Sequence, residues 1–242
     1  MKKTIIILAF SLWVAPMASE AHVVAEEGSI KVKDENSVKE VIDNYIKATG
    51  GESKMKAIYN VEMNMEAEIQ GMKLLIQGIT DQKNERMLNV TEVNGNVMSK
   101  TVVKDGAGTV SAMGQEQTLT DEQVAAVLKN QIYAFRELYL DDLGIAVTFE
   151  GTAEVEGEQA YKLAFDAGGD GNTTEYYSVA SGLKLQTESP AAGKIVYKDY
   201  KEVDGLMMPM TMVITNSMLP MPLKANITSI EFNQELDDSV FN

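Results

Sequence analysis

Val61-Glu62-Met63-Asn64-Met65-Glu66-Ala67-Glu68-Ile69-Gln70 alternates apolar and polar residues without a break. A period of two marks a strand with one dry and one wet face, because successive strand side chains point to opposite sides. Gly71 follows as a turn, and residues 72–80 read as a neighbouring strand. Residues 86–93 and 97–104 flank Asn94-Gly95-Asn96, a hairpin signal, since both turn positions need a positive φ that Asn and Gly accept. Asp105-Gly106-Ala107-Gly108 is a further turn, leading into a short strand at 109–113. Beyond residue 145 the same reading predicts strands at 146–150, 153–156, 160–166, 173–179, 183–188, 194–203, 207–216 and 224–233, separated by glycine-bearing turns. A chain of hairpins predicts an antiparallel meander.

Two segments switch to a helical period. Ser37 is a good N-cap with Glu40 three residues on, and Val38, Val41, Ile42, Tyr45 and Ile46 recur at helical spacing until Gly50-Gly51. Thr120 caps a second helix with Gln123 in the capping-box position. Its apolar stripe, Val124, Val127, Leu128, Ile132, Phe135, Leu138 and Tyr139, runs to about Asp142. The expected fold is mainly β (α+β): a large curved antiparallel sheet, or half-open β-barrel, covered by two helices. Residues 37–242 read as a single domain, without internal repeat or linker.

The N-terminus reads as an export signal. Lys2-Lys3 precedes an apolar run from Thr4 to Val14, and Ser19 and Ala21 are the small residues of a cleavage site. Residues 1–21 are therefore the expected signal peptide, cut after Ala21, with Ala25 as the second choice. The charged, aperiodic residues 22–36 form a flexible leader. The run is shorter than the roughly 20 apolar residues of a spanning helix. The expected address is the periplasm, with full secretion as the alternative. The chain contains no cysteine, which excludes disulfides, thiol nucleophiles and thiolate metal sites. Its formal charge of −15 becomes −16 once Lys2, Lys3 and Glu20 leave with the signal. Such a balance argues against nucleic acid, whose phosphates are bound by Lys and Arg. It suits solubility, or a basic partner protein of the cell envelope.

Several stretches carry a resemblance. They are Ile42-Asp43-Asn44-Tyr45-Ile46-Lys47-Ala48-Thr49-Gly50-Gly51 before the strand with Met63 and Met65; Leu119-Thr120-Asp121-Glu122-Gln123; Tyr176-Tyr177-Ser178-Val179-Ala180-Ser181-Gly182-Leu183 with Thr187-Glu188; Tyr200-Lys201-Glu202-Val203-Asp204-Gly205 with Met208-Pro209; and Leu236-Asp237-Asp238-Ser239-Val240-Phe241. Together they make the chain similar to the periplasmic outer-membrane lipoprotein-sorting proteins (LolA/LolB-like), as a distant branch. The motifs are turns, caps and strand patterns, with no catalytic signature. The resemblance implies a half-open barrel closed by helices, whose apolar cavity takes acyl chains of lipids or lipoproteins.

The chemistry-bearing residues are few. His22 is the sole histidine and lies in the leader, so a Ser–His–acid triad or a two-histidine zinc motif has no basis. The acids fall mostly on wet strand positions, which leaves a hydrolytic carboxylate pair without a clear seat. Asp166-Ala167-Gly168-Gly169-Asp170-Gly171-Asn172 lacks the acid spacing of an EF-hand loop and reads as a turn. Methionine is the anomaly, with 15 in the chain. Met63 and Met65 share one strand face; Met208, Met210 and Met212 share another, with Met207 opposite. Flexible, polarizable Met suits core filling or an adaptable ligand surface, and the Met207–Met212 run has the soft thioethers that favour Cu(I). The expected ligand-lining residues are Met63, Met65, Ile69, Leu88, Val90, Met208, Met210 and Met212, with Leu128, Ile132 and Phe135 as a cover. The expected function is a non-enzymatic carrier of acyl chains, with no cofactor. The alternatives are an envelope interaction module with a self-filled core, or a Cu(I) binder.

Overall fold

The computed structural model describes residues 35–190 and 192–242. The expected signal peptide, its cleavage site and leader residues 22–34, with His22, lie outside the described residues. The elements are α1 (Glu35–Thr49), α2 (Glu52–Lys56), β1 (Asn60–Ile69), β2 (Met72–Asp81), β3 (Arg86–Val93), β4 (Asn96–Lys104), β5 (Ala107–Ala112), β6 (Gln115–Thr118), α3 (Asp121–Gln131), β7 (Ala146–Val155), β8 (Glu158–Asp166), β9 (Thr173–Ser178), β10 (Lys184–Ser189), β11 (Gly193–Lys198), β12 (Lys201–Val203), β13 (Leu206–Met208), β14 (Thr211–Thr215) and β15 (Leu223–Phe232).

Among the described residues, one antiparallel sheet of 13 strands runs in the order β6-β5-β4-β3-β2-β1-β15-β14-β11-β10-β9-β8-β7. It consists of two meanders. The first, β1 to β6, is a run of tight hairpins; at Asn94-Gly95 both residues hold the positive φ that such a turn requires. The second starts at the far edge with β7 and works back, and β15 then pairs with β1, Val61 opposite Phe232 and Ala67 opposite Ala225. The edges β6 and β7 do not meet, so the sheet stays open. Register shifts at Asn64/Met65, Thr91/Glu92, Phe149/Thr152 and Lys184/Gln186 are bulges, which bend and twist a sheet.

The two faces differ. The inner face carries Val61, Met65, Ala67, Ile69, Leu74, Ile76, Ala225, Ile227 and Ile214, packed with Val41, Ile42 and Tyr45 of α1 in one core. Each of the Val, Leu, Ile and Met side chains contributes roughly 1.5–3 kcal/mol on burial. Under α3, Met87, Val103, Val124, Val127 and Ile132 make a second core. On the outer face, Ile79 and Leu88 pack with Phe241 of the C-terminal 3-10 turn. Arg86 fixes that turn: it bonds Asp81 at 3.0 Å and Asp238 at 2.5 Å, and lies 4.5 Å over the Phe241 ring.

Some boundaries depart from expectation. The first helix begins at Glu35 rather than Ser37, and short α2 and β6 were not foreseen. Residues 146–155 form one bulged strand, bent at Gly151 with φ 96, and Glu156 belongs to the turn that follows. The stretch 194–203 breaks at Asp199, held at φ 56, and 207–216 breaks at Pro209, which has no N–H to donate. The second helix stops at Gln131 instead of about Asp142. There the Asn130 side chain bonds the Ala126 carbonyl at 2.9 Å, and Arg136 and Glu137 turn down onto the sheet. Gly50 ends α1 as expected, and a Cβ there would meet the Gly205 carbonyl at 2.6 Å, so α1 abuts the β12–β13 hairpin.

Candidate functional site

The inner face is organised in rows that strand register places side by side. One row runs Val93, Leu74, Ala67, Ala225, Met212 and Tyr197 across six strands. A second runs Thr91, Ile76, Met65 and Ile227, and a third Asn89, Gly78, Met63 and Ile230. Small residues (Ala67, Ala225, Gly78) stand beside long flexible ones (Met63, Met65, Met212). That combination gives an apolar surface whose relief can adapt. Over it lie α1 and the segment after α3, which contributes Phe135, Leu138, Leu140, Leu143 and Ile145. Two grooves flank α1. One, of about 500 Å³, runs between Val38 and Ile42 of the helix and Leu138, Leu140 and Val147. The other, of about 380 Å³, lies between Val41 and Ala48 and Tyr161, Tyr177 and Gly182.

A buried ionic cluster ties the covering segment to the sheet. Glu175 and Tyr177 come from β9, Lys184 from β10, Arg136 and Glu137 from the 3-10 turn Arg136–Leu138, and Tyr45 from α1. Lys184 bonds Glu137 at 2.5 Å and Glu175 at 2.7 Å; Arg136 pairs with Glu175. The Tyr177 hydroxyl donates to Glu175 at 2.5 Å, and the Tyr45 ring meets Tyr177 edge-on at 5.2 Å. Burial alone would raise the Glu175 carboxyl. The Lys184 and Arg136 charges outweigh it and hold that carboxyl at about 2, below its ordinary 4.5. Burial, then Glu175 and Glu137, pushes the Tyr177 hydroxyl well up. Burial would depress Lys184, but Glu137 and Glu175 keep it protonated. Two cations thus face two carboxylates with their charges matched. Glu175, Tyr177 and Lys184 already hold one another, so the arrangement positions the cover.

The structure distributes the expected ligand residues over three places. Met63, Met65, Ile69, Met208, Met210, Met212 and Phe135 gather in the central inner core. Leu128 and Ile132 belong to the separate core beneath α3. Leu88 and Val90 do not join either: they lie on the outer face with Ile79 and Phe241, because the wet and dry phases of β3 are both apolar there. The Met207–Met212 run is also divided. Met208 opposes Lys201 and is buried, Met207 opposes Glu202 on the other side of β13, and Met212 sits on β14.

Arg136, Glu137, Glu175 and Lys184 were absent from the expected set. Their signal in the sequence was charge out of phase. Glu175 shares the strand phase of buried Tyr177, and Arg136-Glu137 interrupts an apolar stripe between Phe135 and Leu138.

No family model and no curated protein matches the sequence. Solved structures do. A LolA superfamily protein from Nitrosomonas europaea superposes with a TM-score of 0.51 at 10% identity, over 84% of this chain and 96% of that one. A DUF1329 family protein from Desulfovibrio piger superposes with a TM-score of 0.53 at 11% identity, over 85% of this chain and 97% of that one. The chain has the LolA-like fold.

Proposed function

We propose that this protein is a non-enzymatic carrier of the cell envelope that holds an acyl chain, of a lipid or a lipoprotein, against the inner face of its open sheet. One observation supports this above the rest: a continuous apolar surface of small and methionine side chains spans the central strands beneath a cover of α1 and residues 132–145. The flanking grooves give α1 room to shift, and an acyl chain would enter beneath it. Met63, Met65, Ile69, Met210, Met212 and Phe135 would contact the chain; their role is shape and exclusion of water. The LolA-like fold is consistent with that use. Export to the periplasm, expected from residues 1–21, would place the protein where such cargo moves.

A second reading, an interaction module with a self-filled core, draws on the depth of burial of Leu74, Ile76, Leu223 and Ile214, each 1–2% exposed. Native mass spectrometry with lipid extraction separates the two. A bound acyl species, lost in Met65→Asp but kept in Leu88→Ala, supports the carrier. A clean apo mass with no uptake of added fatty acid or lipid supports the module.

A further inference from the structure

At the end of the sheet where β1 passes into β2, five consecutive hairpins present their tips side by side. In sheet order these are β5–β6, β3–β4, β1–β2, β15–β14 and β11–β10. Each spans two strands, so neighbouring tips stand roughly 10 Å apart along the rim. The turns between the paired strands, residues 113–114, 94–95, 70–71, 216–222 and, between β10 and β11, Pro190 and Ala192, contain no Asp or Glu. In a chain of charge −15 that is a segregation. The opposite end carries Asp81, Glu85, Asp105, Glu156, Asp199, Asp204, Asp237 and Asp238 in its turns and tail. On the tip side, acids stand on the strands just behind the turns, with Glu68 opposite Lys73, Glu92 opposite Val97, Glu188 opposite Lys194 and Glu116 next to Gln115; within a turn they return only past the fifth hairpin, at Asp170 of the β8–β9 turn.

The same tips carry most of the large apolar side chains that face solvent. Met218 is 58% exposed, Val97 55%, Met113 54% and Met221 53%, on three of the five tips. Met113 holds φ 54, a left-handed conformation that costs a side chain other than Gly or Asn. Met218 and Met221 alternate with Pro220 and Pro222 on the longest tip. Lys73, Lys194 and Lys224 sit exposed at the strand starts behind the tips, Lys73 paired with Glu66 at 3.1 Å.

We propose that this rim docks the protein on a lipid bilayer surface bearing anionic headgroups. A protein partner is matched by a contiguous patch with a close-packed centre; single apolar tips about 10 Å apart are not one. They can instead enter a headgroup layer separately, with lysines behind them reaching phosphates. The acidic end then points away from the negative surface. Docking does not depend on the inner face being loaded.

The experiment is sedimentation with vesicles of phosphatidylethanolamine and phosphatidylglycerol, and with phosphatidylcholine alone. It compares wild type, the triple variant Met113→Ser/Met218→Ser/Met221→Ser, the triple variant Lys73→Gln/Lys194→Gln/Lys224→Gln, and Val179→Ser at the opposite end. Wild type should bind the anionic vesicles. Half-burying a methionine contributes about fivefold, and a lysine near an anionic surface about fivefold. Each triple variant should therefore lose on the order of a hundredfold in partitioning, with unchanged thermal unfolding, while Val179→Ser binds normally. Wild type that stays in the supernatant, triple variants that bind as wild type, or an equal loss in Val179→Ser overturns the proposal. So does a concentration-dependent dimer lost in the methionine variant without vesicle binding, which assigns the rim to a second copy. Acyl uptake on the same preparations keeps the two ideas apart. Vesicle binding without uptake rejects the carrier alone, and uptake without vesicle binding rejects the docking rim alone.

Discussion

Glu175→Gln is the substitution that best tests what the buried cluster contributes. Glu175 is 2% exposed and accepts from Arg136, from Lys184 at 2.7 Å and from the Tyr177 hydroxyl at 2.5 Å. A glutamine keeps the volume but removes the charge, and its amide N–H₂ cannot accept from either cation. Arg136 and Lys184 are then left with Glu137 as their one carboxylate. Breaking a buried pair from one side costs about 3–5 kcal/mol, because the remaining charge stays buried and uncompensated. With a urea slope of roughly 2 kcal/mol per molar, the unfolding midpoint should fall by about 2 M. The assay is urea unfolding at pH 7 followed by far-UV circular dichroism. Glu175→Gln/Lys184→Met restores the charge match, and contacting residues couple by about 0.5–3 kcal/mol. The double variant should therefore recover part of the loss. A single variant within about 0.5 kcal/mol of wild type, or a double variant whose losses simply add, would refute the idea that the cluster holds the cover in place.

Three further outcomes follow from the geometry. Because the folded Glu175 carboxyl is held at about 2, below its ordinary 4.5, its stabilisation is complete above about pH 4.5 and drains away as pH falls toward 2; thermal melts in that window should fall steeply for wild type and more shallowly for Glu175→Gln. Phe241→Ala strips the outer-face core of its aromatic and should cost about 3–5 kcal/mol by equilibrium unfolding, with acyl uptake unchanged; impaired uptake would show that the two faces are coupled. Thr120→Ala removes the side-chain half of the α3 capping box, in which Gln123 N–H donates to the Thr120 hydroxyl, and should cost about 1 kcal/mol; faster amide exchange confined to α3 is the matching signature, and uniform acceleration across the sheet would contradict it.

The sequence was most legible where side-chain period and turn chemistry act locally. The alternation at 61–70 places β1 and names its inner side chains, and the adjoining Gly71, Asn94-Gly95 and Asp105-Gly106 turns order the first meander. Those signals also carried the resemblance to the lipoprotein-sorting fold. Legibility failed where local pattern was ambiguous. In β3, Met87, Leu88 and Val90 are all apolar, so periodicity could not say which phase faces inward. Likewise, an apolar stripe through Phe135 and Leu138 looks helical even where the chain has left the helix.

What the sequence by itself determined was the identity of the strands, the antiparallel hairpins, the two main helices and the greasy character of one sheet face. These follow from interactions between near neighbours in the chain. What only the tertiary structure decided were contacts between residues far apart: β15 closing on β1, the C-terminal turn covering Leu88, Arg136 and Glu137 meeting Glu175 and Lys184, and five acid-free turns aligned on one rim. Register and strand order set these, and a slip of one residue exchanges the two faces of a strand.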